Sequence, residues 1–152
     1  MEEVSFWGST LLVRWSVPPL LRFCFIDLSV GALFLLLIFP ELSSSTKEAY
    51  ALVDEYLMKK DKVKGPCLLE LEDIYRSDVK TWNLVNTFTP ALSKKYKEID
   101  AALMDLKKVG SEYVEMTGSG STVFGVYTLE QQAISSYNLL AEFWNCKIAR
   151  VV

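Results

Sequence analysis

The 152-residue chain contains no histidine. That absence removes the Ser-His-Asp and Cys-His nucleophile schemes together with the commonest zinc ligand, and no metal site is expected. Cysteine is scarce as well. Cys24, Cys67 and Cys146 lie far apart without C-x-x-C spacing, which points to buried, unpaired thiols in a reducing compartment. No stretch has the clustered Lys/Arg that a nucleic-acid backbone demands, and the net charge of −3 and pI near 5.1 speak against that partner too. Long hydrophobic runs are also missing. Residues 28–40 are uncharged, but they fall short of the roughly 20 residues that span a bilayer. Arg22 and Asp27 interrupt any backward extension, and the acidic Met1-Glu2-Glu3 stands where a secretory signal has its basic region. Neither leader nor anchor is expected, and the chain reads as cytoplasmic.

What is present suffices for one domain, since 51% of the residues are hydrophobic and the length allows a core without disulfide or metal staples. Residues 1–30 mix aromatics, Pro18-Pro19 and no clean period, so they are assigned only one or two short strands. Residues 32–39 form a short apolar run ended by Pro40, as in a central strand buried on both faces. Ser45-Thr46-Lys47-Glu48 has the capping-box pattern. It opens a helix to about Lys60, with Ala49, Val53, Tyr56 and Leu57 on its apolar side.

Gly65-Pro66 breaks the chain, and one or two helices are expected up to Phe88, with Leu68, Leu69, Leu71, Ile74, Trp82, Leu84 and Val85 facing inward. Thr89-Pro90 supplies an N-cap and a first-turn proline for one long helix, in which Leu92, Tyr96, Ile99, Leu103 and Leu106 recur until Gly110. Strands are expected at 112–116, 122–127 and 146–152. Between the last two, Thr128-x-x-Gln131 is a second capping box, opening a helix with Ala133, Tyr137, Leu140 and Phe143 or Trp144 inward. The order strand, helices, strand, strand, helix, strand predicts an α+β, ferredoxin-like sandwich: a four-stranded antiparallel sheet covered by helices.

The candidate site is Gly118-Ser119-Gly120-Ser121-Thr122, a small-residue loop between two strands that brings several backbone N–H groups within reach of one anion. Spacing alone also allows a plain hairpin turn. Ser45 and Thr46, at a helix N-terminus, are either caps or a second anion contact. Lys94, Lys95, Lys97, Lys107 and Lys108, interleaved with Glu98 and Asp105, read as solvated helix faces. Trp82, Tyr113, Tyr137 and Trp144 read as core or interface aromatics, because no basic groove accompanies them.

The string M-T-G-S-G-S-T-V-F-G-V-Y at residues 116–127 resembles the C-terminal signature of the 4-diphosphocytidyl-2-C-methyl-D-erythritol kinases, members of the GHMP small-molecule kinases. A second segment, F-P-E-L-S-S-S-T-K-E-A-Y at 39–50, is similar to that family's strand, loop and S-T-x-E-x-Y helix start. The likeness extends from about Leu35 to Val152 and implies the same sandwich, with residues 31–152 as the C-terminal domain and 1–30 as a remnant of the N-terminal one. It also implies that 118–122 support the phosphate end of the cleft, with Ser45 and Thr46 toward the substrate.

In the complete enzymes ATP and Mg are cofactors, and a P-x-x-x-G-L-G-G-S-S-type loop, a lysine and an aspartate come from the N-terminal domain. Nothing in residues 1–29 matches that loop, so no catalytic residue is assigned and neither Asp27 nor Asp54 is promoted. The expectation is a truncated, substrate-side part of such a kinase, inactive and without tight ligand binding alone. Its partners would be a small-molecule substrate or the missing N-terminal kinase domain. The alternative is a stand-alone ferredoxin-like module that binds a small ligand or another protein without catalysis. A third reading, membrane association through the N-terminal segment, is disfavoured by Arg22 and Asp27.

Overall fold

Every residue of Leu33-Phe34-Leu35-Leu36-Leu37-Ile38 is apolar, so both faces of this strand need cover, and the chain meets that need by placing it inside a sheet. The computed structural model describes residues 32–42, 45–59 and 65–151. The readings of residues 1–30, Cys24 and Lys60 lie outside them. The strands are β1 (Leu33–Ile38), β2 (Tyr113–Met116), β3 (Val123–Tyr127) and β4 (Cys146–Val151). They pair antiparallel in the order β2-β3-β1-β4, the ferredoxin-like arrangement expected from the element order.

The helices are α1 (Thr46–Lys59), α2 (Leu71–Arg76), α3 (Thr89–Lys95), α4 (Lys97–Lys108) and α5 (Glu130–Leu140), with a 3-10 turn at Val79–Thr81. Alternation along β1 sends Phe34, Leu36 and Ile38 into the main core. There they meet Val53 of α1, Leu92 of α3, Ile99 and Leu106 of α4 and Ala133 of α5. Leu36, Ile38, Leu92, Ile99 and Leu106 are fully buried, each worth about 1.5–3 kcal/mol relative to exposure. On the reverse face Leu33, Val79 and Val126 form a second cluster, flanked by Leu35, Trp82, Tyr113 and Phe124. Trp82 stacks on Tyr75 at 5.2 Å and meets Tyr113 edge-on at 5.5 Å, so the stretch after α2 covers part of the face that α1 and α3–α5 leave open.

Several local expectations need correction. The long helix after Thr89 is two helices, because Tyr96 is extended (φ −105°, ψ 106°). The break lets α3 lie against α1 while α4 lies against β2 and β3, a demand of packing that no glycine or proline at 96 announces. Thr89 is the first helical residue and Phe88 the N-cap, since the Thr89 hydroxyl donates to the Glu115 carboxylate instead. The box at Thr128 does not form: Leu129 is the N-cap, and Thr128 Oγ1 donates to Glu112 Oε1 at 2.6 Å.

Between Gly65 and Phe88 only α2 and the 3-10 turn are helical, and Leu68 and Leu69 are exposed at 59% and 89%. Leu57 and Phe143 also face outward, and it is Trp144 that packs against the core. Cys67 is an exposed free thiol, against the expectation of burial, whereas Cys146 is buried and free, with its thiol pKa pushed up by desolvation.

Candidate functional site

The small residues at 118–122 turn β2 into β3. Thr117 N–H donates to the Thr122 carbonyl at 2.9 Å and Gly120 N–H to the Thr117 carbonyl at 2.9 Å, closing the hairpin. Gly118 and Gly120 have φ of +48° and +85°, conformations that side-chain-bearing residues rarely adopt. Gly120 is also pressed on the core. A Cβ there would lie 3.0 Å from Met116 Sδ and 3.1 Å from Leu92 Cδ2, whereas nothing lies within 4 Å of the same position on Gly118. Among the described residues no hydrogen-bond acceptor is recorded for the N–H groups of Gly118, Ser119 and Ser121. Thr117 and Gly118 are exposed, and Ser119 to Thr122 are half-buried.

Beneath the hairpin sits Asn86, a buried polar residue at 6% exposure. Its Nδ2 donates to the carbonyls of Met116 (2.8 Å) and Gly118 (2.7 Å), while its Oδ1 accepts from Phe88 N–H (3.0 Å). Glu115 completes the support, accepting from Asn86 N–H (3.1 Å), Met116 N–H (2.8 Å) and the Thr89 hydroxyl. The side-chain polar atoms here are thus paired, as burial requires. Tyr113 OH donates to the Leu84 carbonyl at 2.9 Å. Burial, with the Glu115 charge second, pushes the Tyr113 phenol well above its ordinary pKa, so it remains neutral.

Ser45 Oγ accepts from Glu48 N–H at 3.1 Å, so it caps α1 as expected. The reciprocal half of the box is replaced: the Glu48 carboxylate takes Lys95 of α3, whose hydrogen bond lowers the Glu48 pKa. The register Ile38↔Val123 puts the end of β1, which leads to Ser45 and Thr46, at the same end of the sheet as the hairpin. Among the described residues no hydrogen bond joins Ser45 or Thr46 to 118–122. Sequence reasoning missed Asn86 and Glu115, whose signal is only that of polar residues beside apolar ones, and read Thr89 as a cap and not as a partner of Glu115.

Two alternatives to the hairpin are weak. A shallow groove of about 370 Å³ between the turn after α4 and α5, lined by residues such as Val109, Leu129, Gln132 and Leu139, contains no titratable side chain and no residue of the hairpin. Among the described residues no group of three or more His, Cys, Asp or Glu could hold a metal ion, and no helix is long and apolar enough to cross a membrane.

Fold and hairpin together define an α+β domain of the ferredoxin-like class with a glycine turn at one end of its sheet. The family profile described as "GHMP kinases C terminal" matches residues 70–145, half of the chain, and the chain belongs to that family. It is similar to a 4-diphosphocytidyl-2-C-methyl-D-erythritol kinase of Thermodesulfovibrio yellowstonii, 29% identical over 78% of this chain and 42% of the relative. The kinase of that name from Cytophaga hutchinsonii is 33% identical over 63% of this chain and 33% of its own length.

Among solved structures, a 4-(cytidine 5'-diphospho)-2C-methyl-D-erythritol kinase superposes with a TM-score of 0.65 at 20% identity, over 81% of this chain and 44% of that one. A homoserine kinase from Cytophaga hutchinsonii does so at 0.52 and 16% identity, over 79% and 41%. At such identities the superpositions establish the fold. The chain spans less than half the length of these relatives.

Proposed function

We propose that residues 31–152 are the C-terminal, substrate-side domain of a 4-diphosphocytidyl-2-C-methyl-D-erythritol kinase acting in the cytoplasm. The complete enzyme passes the γ-phosphoryl of ATP to a hydroxyl of the cytidylyl sugar alcohol in non-mevalonate isoprenoid synthesis. The observation that supports this most is the hairpin, whose amides at 118, 119 and 121 have no acceptor among the described residues, at the end of the sheet where α1 begins. Such a row of N–H groups suits phosphate oxygens, and the similarity to kinases of that name over more than three-quarters of the chain supplies the substrate class.

ATP and Mg supply the transferable phosphoryl and offset its charge when bound. The hairpin amides that have no acceptor among the described residues suit the phosphates, and no group of three or more metal-ligating side chains is found among the described residues. This chain's share is to hold one wall of the cleft, to offer Gly118, Ser119 and Ser121 N–H to the phosphate end, and to present Ser45 and Thr46 toward the substrate. An N-terminal kinase domain provides the main ATP loop and the groups that handle the hydroxyl. As a truncated part the chain is inactive and binds nucleotide weakly, at millimolar affinity or poorer, on the order of 4 kcal/mol.

The test is an NMR titration of the isotope-labelled chain with pyrophosphate. Shifts concentrated on the amides of 118–122 are expected. Shifts confined to residues 94–108, with the hairpin amides unmoved, would mean that the loop is only a turn and favour the stand-alone module.

A further inference from the structure

A trans peptide unit is planar, with its C=O and N–H pointing in opposite directions. Fixing one fixes the other. The Gly118 carbonyl accepts from the buried Nδ2 of Asn86 at 2.7 Å, so the N–H of the same peptide unit, that of Ser119, is directed away from the buried amide. Gly118 has no neighbour within 4 Å of a would-be Cβ and a φ of +48°. Contacts around Gly118 therefore do not hold this peptide; the Gly120 N–H to Thr117 carbonyl bond fixes the ends of the turn, and Asn86 fixes the peptide between them.

Resting on the phosphate reading of the hairpin, we infer that Asn86 is its positioning residue: the two Nδ2 hydrogen bonds, to Met116 and Gly118, lock the Gly118–Ser119 peptide with the Ser119 N–H turned toward the anion. Asn86 is suited to this task because all its hydrogen-bonding groups are engaged at once. Its N–H is held by Glu115, its Oδ1 takes Phe88 N–H at the start of α3, and its two donors take the hairpin. The amide plane is thus set from three sides before a ligand arrives. Glu115, tied to Thr89 as well, transmits the position of α3 to the same point. An amide that must rebuild this geometry on binding loses affinity to the cost of ordering it.

Asn86→Asp tests the inference in the full chain, since it keeps an acceptor for Phe88 N–H and removes the two donors. Because it also turns a carboxylate toward the Met116 and Gly118 carbonyls, Asn86→Ala, which loses the donors without adding charge, must give the same result. In wild type, pyrophosphate should shift the Gly118, Ser119 and Ser121 amides together with the Asn86 side-chain NH2 signals, which should also be slow to exchange with solvent. In Asn86→Asp the Ser119 amide should move to a new position and exchange fast, and the pyrophosphate shifts on 118–121 should vanish, while core amides such as Leu103 and Val126 keep their positions.

An Asn86→Asp chain with the Ser119 amide unmoved and the pyrophosphate shifts intact would overturn the positioning role and leave the phosphate reading standing. Wild-type shifts confined to 94–108 would overturn both. If the variant does not fold, the wild-type signals decide: fast exchange of the Asn86 NH2 protons, or their indifference to pyrophosphate while the hairpin amides respond, overturns the inference.

Discussion

A Cβ on Gly125 would lie 2.2 Å from the Oγ of Ser111, so β3 and the turn after α4 meet through a contact that only glycine allows. Ser111 is held there by its own bonds: its N–H donates to the Leu106 carbonyl at 3.2 Å and its hydroxyl to Tyr127 OH at 2.7 Å. The G-V-Y end of the signature string thus answers to helix packing and lies apart from the glycine turn.

Gly125→Ala should lower unfolding stability by about 1–3 kcal/mol through overpacking in a site that cannot expand. Ser111→Gly in the same chain should recover part of the loss, because Leu106 Cδ2 still stands 3.1 Å from the added methyl. Urea denaturation with an unchanged m-value is the measurement, and equal stability of Gly125→Ala and wild type would refute the contact.

The two hairpin glycines should respond differently. Gly118→Ala faces open space and should cost only about 1–2 kcal/mol for its left-handed backbone. Gly120→Val meets Met116 and Leu92 as well, so it should lose about 3 kcal/mol and abolish any pyrophosphate shifts on the hairpin. Thermal melts and the NMR titration check this; equal costs at the two positions would contradict it.

Acid stability should depend on Asp105. The hydrogen bond from Lys108 is the main cause that holds its carboxyl below the ordinary 3.8, with desolvation opposing and Trp144 Nε1–H, at 3.1 Å, assisting. A folded pKa below the unfolded one means that the contribution is complete above the unfolded value and lost as pH falls through the folded one. The stability gap between wild type and Asp105→Asn should therefore be constant above about pH 5 and shrink below about pH 4. Trp fluorescence during urea titrations at each pH measures it; a gap independent of pH would exclude the linkage.

The purified chain should not phosphorylate the cytidylyl methylerythritol substrate with ATP, because no main phosphate loop is found in its sequence. A coupled assay on material freed of host kinase decides. Turnover that persists would send the search for catalytic groups to residues 1–29.

The sequence by itself determined the strands, the sheet class and the place of the hairpin, because these rest on short-range signals: an unbroken apolar run at 33–38, small residues at 118–122 and helical spacing in 97–108. It also foretold Ser45 as a cap, a contact spanning three residues. Tertiary structure alone decided the rest. The break at Tyr96 answers to where α1 and the sheet lie. Thr89 and Thr128 have good capping chemistry, but each found a carboxylate brought near by folding, Glu115 and Glu112, 26 and 16 residues away in sequence. Leu68 and Leu69 remained outside, because apolar character favours burial only where a partner surface arrives. Asn86 belongs to the same group: its partners lie 30 and 32 residues further along, and only the closed sheet turns an ordinary polar residue into the support of the loop.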